Sequence, residues 1–239
     1  MIIKEILRKL LITFHLDLTK NLKYDRLTNQ IMKQVIRKNY NCIDIGCHKG
    51  EMLEKMIQLA PEGTHFAFEP IPELFQKLKK NFEDQVEIYP YALSDYSGFS
   101  TFQFVKNAPA YSGLKIRKYA IDEPNIEEIQ VEIRQLDEII KEKTPIHFIK
   151  IDVEGGEFAV LKGAKELLLR DAPIVVFECG LGASDFYNTD PSILYQFIKD
   201  VNLQIYTLEC FVKKGNALTC EQFLNMYNSN SEYYFILSK

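Results

Sequence analysis

From Tyr40 onward the chain alternates short apolar runs with amphipathic stretches, and this alternation restricts its fold more than any other feature. The runs are "NCIDI", "THFAFE", "VEIYPYAL", "IHFIKID", "PIVVFEC", "LQIYTLE" and "EYYFILS". Strands this apolar need cover on both faces, and the intervening helices supply it, so the pattern predicts a mostly parallel sheet with helices on each side. In "PELFQKLKKNF", Pro72 suits a first helical turn and Leu74, Phe75, Leu78 and Phe82 share one face. Asp190 ahead of Pro191 reads as an N-cap, and Thr219 with Gln222 as a capping box. A further helix is expected over "EFAVLKGAKELLL".

Residues 96–135 break the rhythm. "SGFSTFQFV" and "IEEIQVEIR" alternate as edge strands do, and the segment between them is rich in turn formers. A connection this long in a compact domain is more often functional than idle, so residues 106–125 are a candidate lid, with Ser112 a contact to ligand or a plain turn. The expected organisation is a helical segment over 1–39 followed by one domain over 40–239. Ile2, Ile3, Ile6, Leu7, Leu10, Leu11 and Phe14 form a helical stripe opposite Lys4, Arg8 and Lys9. It is too interrupted to span a bilayer or to serve as a signal peptide. The stripe suits packing on the domain, packing on a second subunit in a homodimer, or rest on a membrane surface through residues 1–18.

A net charge of −4 gives no global electrostatic reason to bind nucleic acid. Cys42, Cys47, Cys179, Cys210 and Cys220 contain no CxxC pair and are odd in number, which points to reduced thiols and a cytoplasmic setting.

"CIDIGCHKGEM" runs from a buried strand into a helix through Gly46 and Gly50, whose freedom lets backbone approach a ligand. His48 stands where a dinucleotide fingerprint needs its second glycine, which disfavours a pyrophosphate site and a nicotinamide oxidoreductase. Asp44 at the strand end suits a cationic amino-acid ligand instead. Glu69, closing the next strand about 25 residues on, is placed to grip both hydroxyls of a ribose. "YALSD" ends the third strand, where Ser94 and neighbouring backbone reach the same crevice and suit an adenine edge or a turn.

"DIGCHKGEM", "FEP", "YALSD", "LDEI" and above all "KIDVEGGE", in this order, resemble the FkbM-type methyltransferases, a branch of the class I S-adenosylmethionine-dependent enzymes. The match covers about residues 40–180. It implies a Rossmann-like, seven-stranded α/β sheet with an antiparallel last strand. It also implies S-adenosylmethionine as methyl donor and a hydroxyl acceptor on a glycan, lipid-linked or small molecule. Cys47 and His48 replace the Ala-Asn that commonly follows the first glycine in such proteins. Residues and resemblance together mark Asp44, Gly46, Cys47, His48, Gly50, Glu69, Pro70, Ala92, Leu93, Ser94 and Asp152 as donor-binding candidates.

"KIDVEGGE" gathers three carboxylates after a buried strand, where unpaired charge is expensive. Strand parity puts Lys150 and Asp152 on one face and Ile149 and Ile151 on the other, which suggests an ion pair at the pocket floor. Glu154 and Glu157 stand in or before a helical first turn that favours negative charge, and Glu178 ends the fifth strand at the same edge. Because an alcohol is a poor nucleophile until a base takes its proton, Asp152, Glu154, Glu157 and Glu178 are the catalytic candidates, Glu154 and Asp152 foremost. The acids could also hold a divalent cation, although no His/Cys metal spacing is present and metal is not favoured. A non-catalytic nucleoside-binding subunit is the alternative. His147 lies ~16 Å from the site along its strand and His65 ~13 Å from Glu69, His15 belongs to the N-terminal helical segment, and His48 alone is near the ligand.

Overall fold

The computed structural model describes residues 19–82, 85–119, 121–140 and 143–239. The stripe over Ile2–Phe14 and His15 lie outside the described residues. The described chain begins with helix α1 (Lys20–Val35), whose Thr19 side chain accepts a hydrogen bond from the Leu22 N–H at 3.2 Å. It buries Tyr24, Leu27, Thr28, Ile31 and Met32, a helical spacing that turns one face to the sheet. No described helix is long and apolar enough to cross a membrane.

The main sheet is built from β1 (Cys42–Ile45), β2 (His65–Phe68), β3 (Glu87–Tyr89), β7 (Phe148–Ile151), β8 (Ile174–Glu178), β9 (Gln204–Thr207) and β10 (Tyr234–Ser238). Its order is β3-β2-β1-β7-β8-β10-β9, with β10 antiparallel to both neighbours and the other pairings parallel. The reversal of strand order falls between β1 and β7, so a crevice opens beyond their carboxyl ends. Helices α2 (Glu51–Leu59) and α3 (Pro72–Phe82) make the crossovers on one wing. On the other wing lie α5 (Glu157–Lys162), α6 (Lys165–Asp171), α7 (Pro191–Asp200), α8 (Leu208–Val212) and α9 (Cys220–Ser229), while the short α4 (Leu136–Ile139) precedes β7. Asp190 caps α7 and Thr219 with Gln222 forms the capping box of α9, as expected.

Alternation along the strands divides the core in two. Ile43, Ile45, Ile149, Ile151, Val175 and Phe177 face a cluster with α5, α6, α7 and α9. Cys42, Phe148, Val176 and Ile236 face α1, and Asp44 and Lys150 share that face by parity. The predicted pairing of faces on β7 therefore holds.

Two expectations need correction. "VEIYPYAL" is two strands in two sheets, because Pro90 has no N–H to continue the ladder: β3 stays in the main sheet and β4 (Tyr91–Leu93) joins a small sheet ordered β4-β6-β5. The other members of that sheet, β5 (Gly98–Val105) and β6 (Ile126–Arg134), are the two alternating runs of the insertion. "EFAVLKGAKELLL" is likewise two helices, broken at Gly163. The Asp137 carboxylate of "LDEI" caps the second, accepting from the Glu166 and Leu167 N–H groups at 3.0 and 2.9 Å. A Cβ on Gly163 would lie 2.0 Å from the Ser94 carbonyl oxygen. Gly163→Ala is therefore expected to force β4 away from α5 and to cost roughly 1–3 kcal/mol, read as a lowered midpoint of urea unfolding.

Candidate active site

Two hollows open at the carboxyl edge of the sheet and meet. The first, about 340 Å³, is lined by Gly46, His48, Glu69, Pro70, Ile71, Ala92, Leu93, Ser94 and Asp95 from the strand ends, with Leu114 and Lys115 of the insertion above. The second, about 630 Å³, is lined by Asp44, Cys47, Lys49, Lys150, Glu178 and Tyr234, with α1 on one side and Tyr111 and Arg117 of the insertion on the other. Gly46, His48, Ala110, Asp152 and Glu154 belong to both.

The joint depends on one close approach. Gly46 has φ 75°, its N–H donates to the Phe68 carbonyl at 3.0 Å, and a Cβ there would stand 1.9 Å from the Asp152 carbonyl oxygen. Only glycine lets β1 and β7 deliver their ends side by side. Gly50 does something else: it lines neither hollow, and its missing Cβ leaves room for Leu78 and Phe82 of α3, which a Cβ would meet at 2.8 and 2.7 Å. Gly50 thus has a packing role at the start of α2.

Glu69 is 3% exposed, and its carboxylate is held on both oxygens, Oε2 by the His48 N–H at 2.8 Å and Oε1 by the Ile71 N–H at 3.0 Å. Each oxygen keeps a second lone pair for a ligand hydroxyl. Burial pushes its pKa up to about 7. Asp44 is 1% exposed, with Oδ2 buried and without a partner; burial, partly offset by Lys150, pushes it up to about 6. That oxygen has no hydrogen-bond partner among the described residues, and Asp44 lines the second hollow.

His48 has φ 49° and a buried Nε2 without a partner, and burial lowers its pKa. His65 and His147 sit at the amino ends of their strands, His65 against the Ala60 carbonyl at 2.8 Å and His147 stacked on Tyr40. Both are remote from the hollows, as strand arithmetic predicts.

The four carboxylates at the far side have separate surroundings. Asp152 Oδ2 accepts from Lys150 Nζ at 2.6 Å and from the Tyr234 hydroxyl at 3.1 Å, while Oδ1 takes neither bond. Burial pulls the Lys150 ammonium down, but Asp152 and Asp44 outweigh it and its pKa is raised. Glu154 is ion-paired with Arg117. Glu178 lines the second hollow, its pKa raised by burial and then by Asp152 and Glu157. Glu157, in contrast, lines neither hollow: Oε1 accepts from the Val153 and Gly155 N–H groups at 3.0 and 3.1 Å and fastens the turn. Gly155 and Gly156 permit that turn, since a Cβ on Gly155 would meet the Ala183 carbonyl oxygen at 2.5 Å. Ser112 borders the first hollow, but its Oγ accepts from the Val105 N–H at 3.0 Å, which closes a turn. No group of three or more His, Cys, Asp or Glu among the described residues has the geometry of a metal site.

Sequence pattern missed Tyr234, Arg117 and the Lys162 to Asp95 ion pair. Tyr234 opens a strand that runs backwards, so only its pairing opposite Glu178 puts it at the carboxyl edge. Arg117 lies in a segment without periodicity. The one available signal was a cation in a lid over an acid-rich pocket.

A sheet ordered in this way, closed by one antiparallel strand and carrying acids at its carboxyl edge, is a class I methyltransferase fold. A family model described as the methyltransferase FkbM domain matches residues 44–205, and the chain belongs to that family. It is 28% identical over 166 residues to the 2-O-methyltransferase NoeI of Sinorhizobium fredii, an alignment that takes in 64% of this chain and 67% of NoeI. Among solved structures it is similar to the methyltransferase FkbM of Methylobacillus flagellatus, with a TM-score of 0.49 and 16% identity. That similarity covers 90% of this chain, which spans about half (52%) of the other. It is also similar to Aeropyrum pernix fibrillarin with bound S-adenosyl-L-methionine, with a TM-score of 0.45, 13% identity, and coverage of 90% and 74%.

Asp44, Glu69 and Glu157, the last also raised to about 7 by burial, hold their protons more tightly folded than unfolded. Such groups contribute stability that is complete below the unfolded pKa of about 4 and is lost as pH rises through 6 to 7. Urea unfolding of the ligand-free protein is expected to show a falling midpoint from pH 5 to 7.5. Asp44→Asn should flatten that slope, by on the order of 1 kcal/mol across the window.

Proposed function

We propose that the chain is an S-adenosylmethionine-dependent O-methyltransferase acting on a hydroxyl of a small-molecule, glycan or lipid-linked acceptor. The observation that carries this reading is the junction of the two hollows at Asp152 and Glu154, since methyl transfer needs donor and acceptor in line at one point. Family membership supports methyl transfer, and the name of NoeI supports oxygen as the accepting atom.

In this reading Glu69 takes the ribose hydroxyls, and Ala92, Leu93 and Ser94 border the base. Asp44, with the backbone of Gly46 to His48, takes the amino-acid end. When bound, the donor supplies an electrophilic methyl group on a cationic sulfur. Asp152 and Glu154 stand where an acceptor hydroxyl must give up its proton. Oδ1 of Asp152 is the oxygen not already engaged by Lys150 and Tyr234, and we assign it the role of accepting or orienting that proton, with Glu154 as its partner. Glu157 acts through the turn it fastens, as a positioning residue. Glu178 and the half of α1 that walls the second hollow shape the acceptor space.

Calorimetry tests the donor site. S-adenosylmethionine and its demethylated product are expected to bind and NAD to fail, and Glu69→Ala or Asp44→Ala should weaken binding by at least about tenfold. Because ligand hydroxyls and a cation favour the ionised carboxylates, binding near pH 6 should release protons, seen as a heat that varies with the ionisation enthalpy of the buffer. Tight NAD binding with none for the methionine derivatives overturns the assignment. For the chemistry, turnover is scored as demethylated donor formed over a panel of hydroxyl acceptors. Asp152→Asn and Glu154→Ala should lower it by ~10²–10⁴ while the donor still binds at least one of them. Unchanged turnover in both removes the base.

A further inference from the structure

Glu154 has φ 61°, a left-handed conformation that costs a residue with a side chain ~1–2 kcal/mol. Such backbone persists only where its surroundings over-determine it. Glu157 Oε1 pins the turn from below through the N–H groups on either side of Glu154. From above, the side chain is taken by the Arg117 guanidinium. Arg117 is itself nearly enclosed, with 10% of its side chain exposed, and its guanidinium carbon lies 5.2 and 5.9 Å from the ring centroids of Tyr111 and Tyr119. The rings fix the fork, and its ion pair ends on Glu154.

Arg117 belongs to the insertion. Leu114 and Lys115 of that segment line the first hollow, and Tyr111 and Arg117 the second, so one stretch of chain roofs both. Besides the ion pair, a hydrogen bond from the Lys115 N–H to the Tyr187 hydroxyl, at 3.2 Å, ties it to the body of the protein. We propose that Arg117 is the positioning residue for Glu154 and that the ion pair latches residues 106–119 over both hollows, so the carboxylate reaches its working place only when the lid is shut. The significance of Glu154 rests on the function proposed above. The latch itself does not, and the two fail separately.

Hydrogen exchange on the full chain, with and without the demethylated donor, tests the latch. Arg117→Ala and Glu154→Ala should each raise exchange of amides 106–119 by about tenfold, with the double variant no faster than either single one. Arg117→Lys should restore part of the protection. Because Arg117 pairs with Glu154 and not with Glu69 or Asp44, its removal should weaken the demethylated donor less than Glu69→Ala does. In the acceptor panel, Arg117→Ala should lower kcat by a larger factor than it raises the donor KM. Should Arg117→Ala fail to fold, the same comparison is made with Arg117→Lys and Glu154→Gln. Unaltered exchange in the single variants, or additive effects in the double, overturns the proposal. Failure of the wild type to bind the demethylated donor sinks the proposed function and leaves the exchange result to judge the latch.

Discussion

A buried ammonium organises the carboxyl edge of the sheet. Lys150 is 6% exposed, stands beside Asp44 in the register of β1 and β7, and reaches Asp152 at 2.6 Å. Taking one of these charges out of water alone would cost several kcal/mol, and removing one partner from a buried pair typically costs 3–5. Together they let Asp44 and Lys150 stay buried at the strand ends while Asp152 borders the second hollow, which α1 walls. Without Lys150, Asp44 and Asp152 would face each other across adjacent strands as like charges. The tilt of Asp44 toward neutrality, held back by this ammonium, shows how narrowly the balance is drawn.

Around that pair the site is assembled by close backbone approach. Gly46 brings β1 against the carbonyl of Asp152, and Gly155 lets the turn after β7 lie against Ala183. Each contact leaves no room for a methyl group. The result is a closely packed floor of strand ends beneath a roof from the loop between β5 and β6, and two hollows that share Gly46, His48, Ala110, Asp152 and Glu154. Closely packed strand ends below and the proposed lid above suit a reaction that gains chiefly by alignment and dryness.

The eight residues "KIDVEGGE" thus resolve into different physical roles. Asp152 is an edge carboxylate held by an ammonium and a phenol. Glu154 is a strained-turn carboxylate met by a cation from the roof. Glu157 is a buried clasp whose work is on backbone N–H groups. A common charge in the sequence conceals three different electrostatic environments, and only those environments separate a group able to touch substrate from one that holds the loop.

Much of this was legible before any coordinates. Periodicity marked the strands and helices, Asp190 and Thr219 marked helix starts, and parity on β7 put Lys150 with Asp152, because these depend on neighbours one to four residues away. Glycines and acids at successive strand ends marked the edge where the two hollows open, for the same reason. What the sequence could not disclose was set by contacts between distant segments. Pro90 divided one apolar run between two sheets, the Ser94 carbonyl packed against the helix break at Gly163, antiparallel pairing carried Tyr234 to the edge, and the insertion delivered Arg117 to Glu154. The sequence by itself determined the local elements and the chemistry available at their ends. Tertiary structure alone decided which charges meet, since a charge's partner is chosen by proximity in space, and proximity between residues tens of positions apart leaves no periodic trace in the chain.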